Sequence, residues 1–91
     1  MTVPVHDNPD RHRFELALDG GVAFASYRRA GDVLTILHTE VPRALRGHGL
    51  GGKLIGGVLD LVRAEGLKVV PHCSFVRAYI DDHAEYADLL A

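Results

Sequence analysis

The sequence predicts a single α+β domain spanning residues 1–91, and three observations predict it. Short alternating apolar runs separated by glycine turns fill the front of the chain. One amphipathic stretch at helical spacing follows them. A second apolar run and two more helical segments close the sequence. With 91 residues, 47% of them hydrophobic and 24% charged, the chain can build one core and no more.

Residues 1–10 contain Pro4, Asn8 and Pro9, lack a clear period, and read as an extended lead-in. In 13–18, Phe14, Leu16 and Leu18 alternate with Glu15, as in a half-buried strand. Asp19-Gly20-Gly21 is a tight-turn signal and predicts a hairpin. The second strand, 22–28, carries Val22, Phe24 and Ser26 on one face, and Ala30-Gly31-Asp32 is the next turn. The third strand, 33–41, is apolar without alternation over Val33-Leu34-Thr35-Ile36-Leu37, a pattern expected of a central strand covered on both sides. Pro42 stops its ladder, and residues 43–49 form a loop.

From 51 to 65 the period changes. Leu50, Leu54, Ile55, Val58, Leu59 and Val62 make one apolar helix face, and Gly66 is the stop signal. Residues 67–73 read as a fourth strand. Ser74 is a candidate N-cap for a helix carrying Phe75, Val76, Tyr79 and Ile80. Residues 84–91 suggest a short terminal helix. The order is three antiparallel strands, a helix, a fourth strand, and a C-terminal helix or helices packed on the sheet.

A formal net charge of −2 supplies no basic field for nucleic acid, and the adjacent Arg28 and Arg29 do not make a patch. No apolar run approaches the ~20 residues needed to span a bilayer. The N-terminus lacks a charged-then-apolar signal pattern, and the single Cys73 excludes an internal disulfide. The expectation is a cytoplasmic protein without nucleic-acid or membrane partners. The histidines His6, His12, His38, His48, His72 and His83 show no metal-ligand spacing, so no metal is expected.

The richest local signal is Arg46-Gly47-His48-Gly49-Leu50-Gly51-Gly52, between the third strand and the helix. Glycine lets the backbone bend sharply and lets a ligand approach. The first amides of a helix lack internal partners and, with the helix dipole, form an anion site. Three phosphate-binding patterns share these letters. Gly47, Gly49 and Gly52 satisfy the dinucleotide fingerprint, but the chain is too short for repeated βαβ units. Gly47, Gly52 and Lys53 satisfy the start of a P-loop, yet Leu54 stands where a magnesium-ligating Ser or Thr belongs. Arg46, Gly49 and Gly51 satisfy R-x-x-G-x-G at the start of the helix.

That last pattern resembles motif A of the GNAT acetyltransferase superfamily, where the turn's amides hold the pyrophosphate of acetyl-coenzyme A. Segments 38–54 and 66–90 extend the likeness. They resemble a compact GNAT-like group that lacks the early helices of larger members and carries a Pro-x-Cys-Ser-Phe segment, matched by Pro71, Cys73, Ser74 and Phe75. The resemblance implies a minimal GNAT-like fold and acetyl-CoA as substrate. It implies cofactor contacts from Val41, Arg46, Gly47, His48, Gly49, Leu50, Gly51 and Gly52. It also implies that the thioester carbonyl meets backbone N–H groups near Thr39 to Val41.

Acetyl transfer to an amine needs a neutral nucleophile, a polarised carbonyl and a proton for the leaving thiolate. Cys73 precedes a helix, where a thiol gains acidity, and the resemblance implies that it lies beside the thioester. Its alternative is plain packing, since free cysteine is commonly buried. The resemblance makes Tyr79 a candidate general acid; a core tyrosine is the alternative. Glu40 and His38 are candidate bases for the amine, or a solvated glutamate and a core histidine. The expected function is acetyl-CoA-dependent N-acetyl transfer to an unidentified amine, directly or through an acyl-Cys73. The alternative is a non-catalytic acetyl-CoA or CoA-binding module.

Overall fold

The computed structural model describes residues 5–91. Five strands form one mixed sheet in sequential order: β1 (Val5–Asn8), β2 (Arg13–Leu18), β3 (Gly21–Ala30), β4 (Val33–Glu40) and β5 (Lys68–Pro71). The first four pair antiparallel, and β5 joins β4 in parallel. A parallel pair needs a crossover, and α1 (Leu50–Ala64) provides it. α2 (Ser74–Asp82) follows β5, and a 3-10 segment, Ala84–Leu89, comes last.

Both helices cover the same sheet face. Leu54, Ile55, Val58, Leu59 and Val62 of α1 and Val76 and Ile80 of α2 are buried with Phe14, Leu16, Leu34, Ile36 and Val69 in one core. Each fully buried side chain of this size contributes about 1.5–3 kcal/mol of transfer free energy. The helix period read from the sequence therefore marks the face that holds the domain together.

Four expectations change. The stretch read as a lead-in contains β1; its residues 1–4 lie outside the described residues. Val-His-Asp-Asn has no apolar alternation because β1 is an edge strand that buries no side chain completely. It is held by its ladder to β2, from Val5↔Leu16 to Asn8↔Arg13, and by Val5 against Gly57 of α1.

In β3 the buried residues are Ala23, Ala25 and Tyr27, and Val22 on the other face is 42% exposed. The alanines sit beneath α1, where small side chains allow the helix to approach. β4 is covered on one face only: Leu34 and Ile36 are buried, whereas Leu37 is 37% exposed. Its unbroken apolar run reflects a β-bulge. Tyr27 faces Ile36 and Ser26 faces His38, which leaves Leu37 as the extra residue and shifts the phase of the strand. Beyond the bulge, Thr39 opposes the buried Ala25, while His38 and Glu40 oppose Ser26 and Phe24 on the uncovered face.

At the start of α2 the N-cap is Cys73, and Ser74 is the first helical residue. The expected terminal helix is the 3-10 segment, pinned by a bidentate Arg63–Asp88 pair with contacts of 2.8 and 2.9 Å. The Ala91 amide then donates to the Val69 carbonyl at 2.9 Å.

Candidate functional site

The site begins where β4 ends. Pro42 has no N–H to continue the ladder, and the Leu45 amide donates to the Pro42 carbonyl at 2.8 Å, closing a 3-10 turn over Arg43–Leu45. Arg46 is extended, and its Nε donates to the Val41 carbonyl at 3.0 Å, tying the loop to the strand end. Gly47 and Gly49 have φ of +88° and +72°, and Gly49 is the N-cap of α1. A Cβ at either would meet nothing within 4 Å. Backbone conformation, not packing, requires glycine at both, and the space above them is open.

The Lys53 amide donates to the Gly49 carbonyl at 3.2 Å. The amides of Leu50, Gly51 and Gly52 precede that bond and have no acceptor within the helix. Gly51 sits beneath an aromatic ring. A Cβ there would lie 2.9 Å from Cζ of Phe75, whose ring rests on the first turn of α1. Val41, Leu45, Arg46, Gly47, Gly49, Leu50, Gly51, Gly52 and Phe75 line a groove of about 250 Å³. The predicted cofactor residues thus come together, except His48, which is exposed in the turn and does not line the groove.

Next to the groove the sheet splits. β5 pairs with β4 only from Val33↔Lys68 to Ile36↔Pro71. The Cys73 amide makes a last tie to the Ile36 carbonyl at 2.9 Å, after which β4 runs on while the chain turns into α2. Cys73 Sγ lies 3.6 Å from the Thr39 hydroxyl, inside this opening. Burial opposes ionisation of the thiol. It is outweighed by the Val76 amide, the Thr39 hydroxyl, and the Phe75 and Thr39 amides, which hold the thiol below its ordinary range. The sulfur makes no capping hydrogen bond of normal geometry, so the α2 amides act on it as aligned dipoles. Donors arranged to favour a negative sulfur also favour a developing oxyanion placed there.

Tyr79 stands apart from this opening. Its hydroxyl faces Gly56 of α1, 2.8 Å from where a Cβ would be, and its ring stacks on His83 at 3.9 Å. Burial raises its pKa, with Glu85 and Asp60 adding to the effect. Glu40 and His38 form a 3.6 Å pair on the uncovered face, both largely exposed and screened by water. Leu45 and Phe75 also line the groove, although from sequence Phe75 belongs only to the helix and the Pro-x-Cys-Ser-Phe segment and neither residue is assigned a cofactor contact. Among the described residues no group of three or more His, Cys, Asp or Glu is placed to hold a metal ion.

Comparison with known proteins agrees with this architecture. Residues 13–89 match the family described as GCN5-related N-acetyl-transferase. Protein NATD1 of Mus musculus is 31% identical over 84 residues, which cover 89% of this chain and 76% of that protein. Protein NATD1 of Homo sapiens is 33% identical over 85 residues, covering 88% and 75% respectively. The solution structure of a GCN5-like candidate N-acetyltransferase from Staphylococcus aureus superimposes with a TM-score of 0.72 at 25% identity, covering 99% of this chain and 89% of that one. A crossover helix opening on a glycine turn, a split sheet beside it, and a family match across most of the chain lead to one conclusion: this protein belongs to the GCN5-related N-acetyltransferase family.

Proposed function

We propose that this protein binds acetyl-CoA along the turn and the split, and transfers the acetyl group to an amine. The observation that carries the reading is the groove at the start of α1, where unpartnered amides lie beneath open space. A pyrophosphate fits this cradle by charge and by donor geometry. Arg46 is in reach to exchange its Val41 contact for a phosphate. The pantetheine arm then follows β4 past Val41 into the split, which places the thioester at Thr39 and Cys73. There the amides polarise the carbonyl, and Cys73 lines the pocket. Glu40, on the uncovered face, accepts the proton of the attacking amine.

A second reading is a CoA-binding module that does not catalyse transfer. One observation favours it: the Tyr79 hydroxyl is turned to Gly56, so it is not placed to protonate a departing thiolate. The two are separated by supplying acetyl-CoA with a set of amines and following free thiol. Catalysis releases thiol faster with protein and amine together than with either alone; a pure binding module only protects the thioester. Binding itself is read by melting. A ligand at about 100 times its Kd adds about 2.7 kcal/mol, which in a domain this size raises Tm by roughly 10–20 °C. Acetyl-CoA should do this, and NADH or ATP with magnesium should not.

A further inference from the structure

The helix-covered face of the sheet is filled by the core, so a second substrate can approach the split only from the uncovered face. Directly opposed residues share a face, and two rows of such residues cross it. One runs His6, Glu15, Phe24, Glu40; the next runs Asn8, Arg13, Ser26, His38. The central charge is already answered: Arg13 Nε lies 2.6 Å from Glu15, with the guanidinium 4.4 Å above the Phe24 ring.

The next position of β3 on this face is Arg28. It borders a hollow of about 440 Å³ lined by His12, Tyr27, Arg28, Arg29 and Leu37, with no carboxylate in its wall. Arg28 takes part in none of the ion pairs among the described residues. Arg29 is engaged, its Nε donating to the Gly31 carbonyl at 2.9 Å. His12 sits at the hollow in a left-handed conformation, φ 53°, uncommon for a residue with a side chain and fixed by its amide donating to Pro9 at 3.1 Å. Leu37, the bulged residue, adds an apolar wall. The protein as a whole is net acidic, so this cationic hollow is a local feature.

We propose that the hollow is an anion subsite, in which Arg28 with His12 beside it holds the carboxylate or phosphate of an acceptor whose amine reaches Glu40. This rests on the acetyl-transfer reading above. Phe24, opposite Glu40, and Arg28 are four residues apart on one strand, about 13 Å. Side-chain reach shortens this, so the acceptor carries its amine and its anion roughly 10–13 Å apart, the span of three or four extended residues. Phe24 gives the stretch between them an apolar surface.

The test is a residue-resolved 1H–15N NMR titration of the whole chain with triglycine, triglycine amide and inorganic phosphate. Triglycine and phosphate should each shift His12, Arg28 and Leu37 saturably. Triglycine amide should bind about tenfold more weakly or worse. Arg28→Gln should weaken both anions to the same degree at this hollow and leave acetyl-CoA shifts at Gly47 to Gly52 unchanged. Shifts by phosphate without triglycine would assign the subsite to a phosphorylated acceptor. No saturable shift at the hollow, or equal anion binding in Arg28→Gln, would overturn the subsite. The acetyl-transfer reading is judged separately, by whether acetyl-CoA perturbs the glycine turn in the same samples.

Discussion

Replacement of Gly49 separates the two demands made on the turn. Its φ of +72° is left-handed, and no protein atom lies within 4 Å of a would-be Cβ. The cost of Gly49→Val is therefore conformational. A residue with a Cβ pays ~1–2 kcal/mol in this region, with β-branched residues at the upper end. Each kcal/mol moves Tm by about 4–8 °C in a domain of this size, so Gly49→Val should melt roughly 4–16 °C lower while keeping its circular dichroism spectrum. Asn tolerates the left-handed region, and Gly49→Asn should melt close to the parent protein. Both side chains enter the open space above the α1 amides. Losing even one charge-assisted bond there costs ~1.5–3 kcal/mol, so both should lower acetyl-CoA affinity at least about tenfold. Calorimetric titration of the folded Asn variant is the decisive assay. Native melting with undiminished acetyl-CoA affinity would refute the placement of the pyrophosphate. Parent-like melting of the valine variant would refute the conformational argument.

Three further outcomes are expected. Alkylation of Cys73 should reach half its maximal rate at a lower pH than an ordinary thiol, shift upward in Thr39→Val, and slow with saturating acetyl-CoA; an unchanged rate with acetyl-CoA would remove Cys73 from the site. Arg46→Ala should weaken acetyl-CoA binding less than either Gly49 variant, because the proposed cradle is built mainly of backbone amides; a larger loss would make the guanidinium the main anchor. Burial, reinforced by the Asp7 hydrogen bond, raises Tyr27 to about 12. Its folded pKa exceeds the ordinary phenol value near 10, so its contribution to stability is complete below that pH and is lost as pH rises through about 12. Absorbance titration of the folded protein should place the Tyr27 and Tyr86 steps at about 12 instead of near 10, with Tyr79 also raised by burial; a full three-tyrosine step near pH 10 contradicts the burial argument.

The parts of the fold legible in the sequence were those written in a repeating pattern. α1 announced itself by its apolar period and Gly66, and the β2–β3 hairpin by Asp19-Gly20-Gly21. β1 escaped because an edge strand with no fully buried side chain has no period to display. The buried face of β3 was missed because Ala23 and Ala25 are chosen for closeness to α1, and a hydrophobicity pattern favours the larger Val22 and Phe24. The bulge at Leu37 depends on pairing between strands and has no local sign, yet it moves Thr39 to the inner face and His38 and Glu40 to the outer one. The glycine turn was readable because left-handed backbone leaves few alternatives to glycine. The setting of Cys73 was half readable: its place before α2 was evident, while the Thr39 hydroxyl 3.6 Å away arises only when β4 and β5 come together. The position of the Tyr79 hydroxyl, which faces Gly56 across the helix interface, was not.

The central claim is that acetyl-CoA lies with its pyrophosphate on the glycine turn and its thioester in the split. Its most direct test is a 1H–15N NMR titration of the intact chain with acetyl-CoA. The account predicts saturable shifts concentrated on the amides of Gly47, Gly49, Leu50, Gly51 and Gly52 and on Thr39, Val41 and Cys73. A saturable response confined to other residues, or none at millimolar acetyl-CoA, would contradict it.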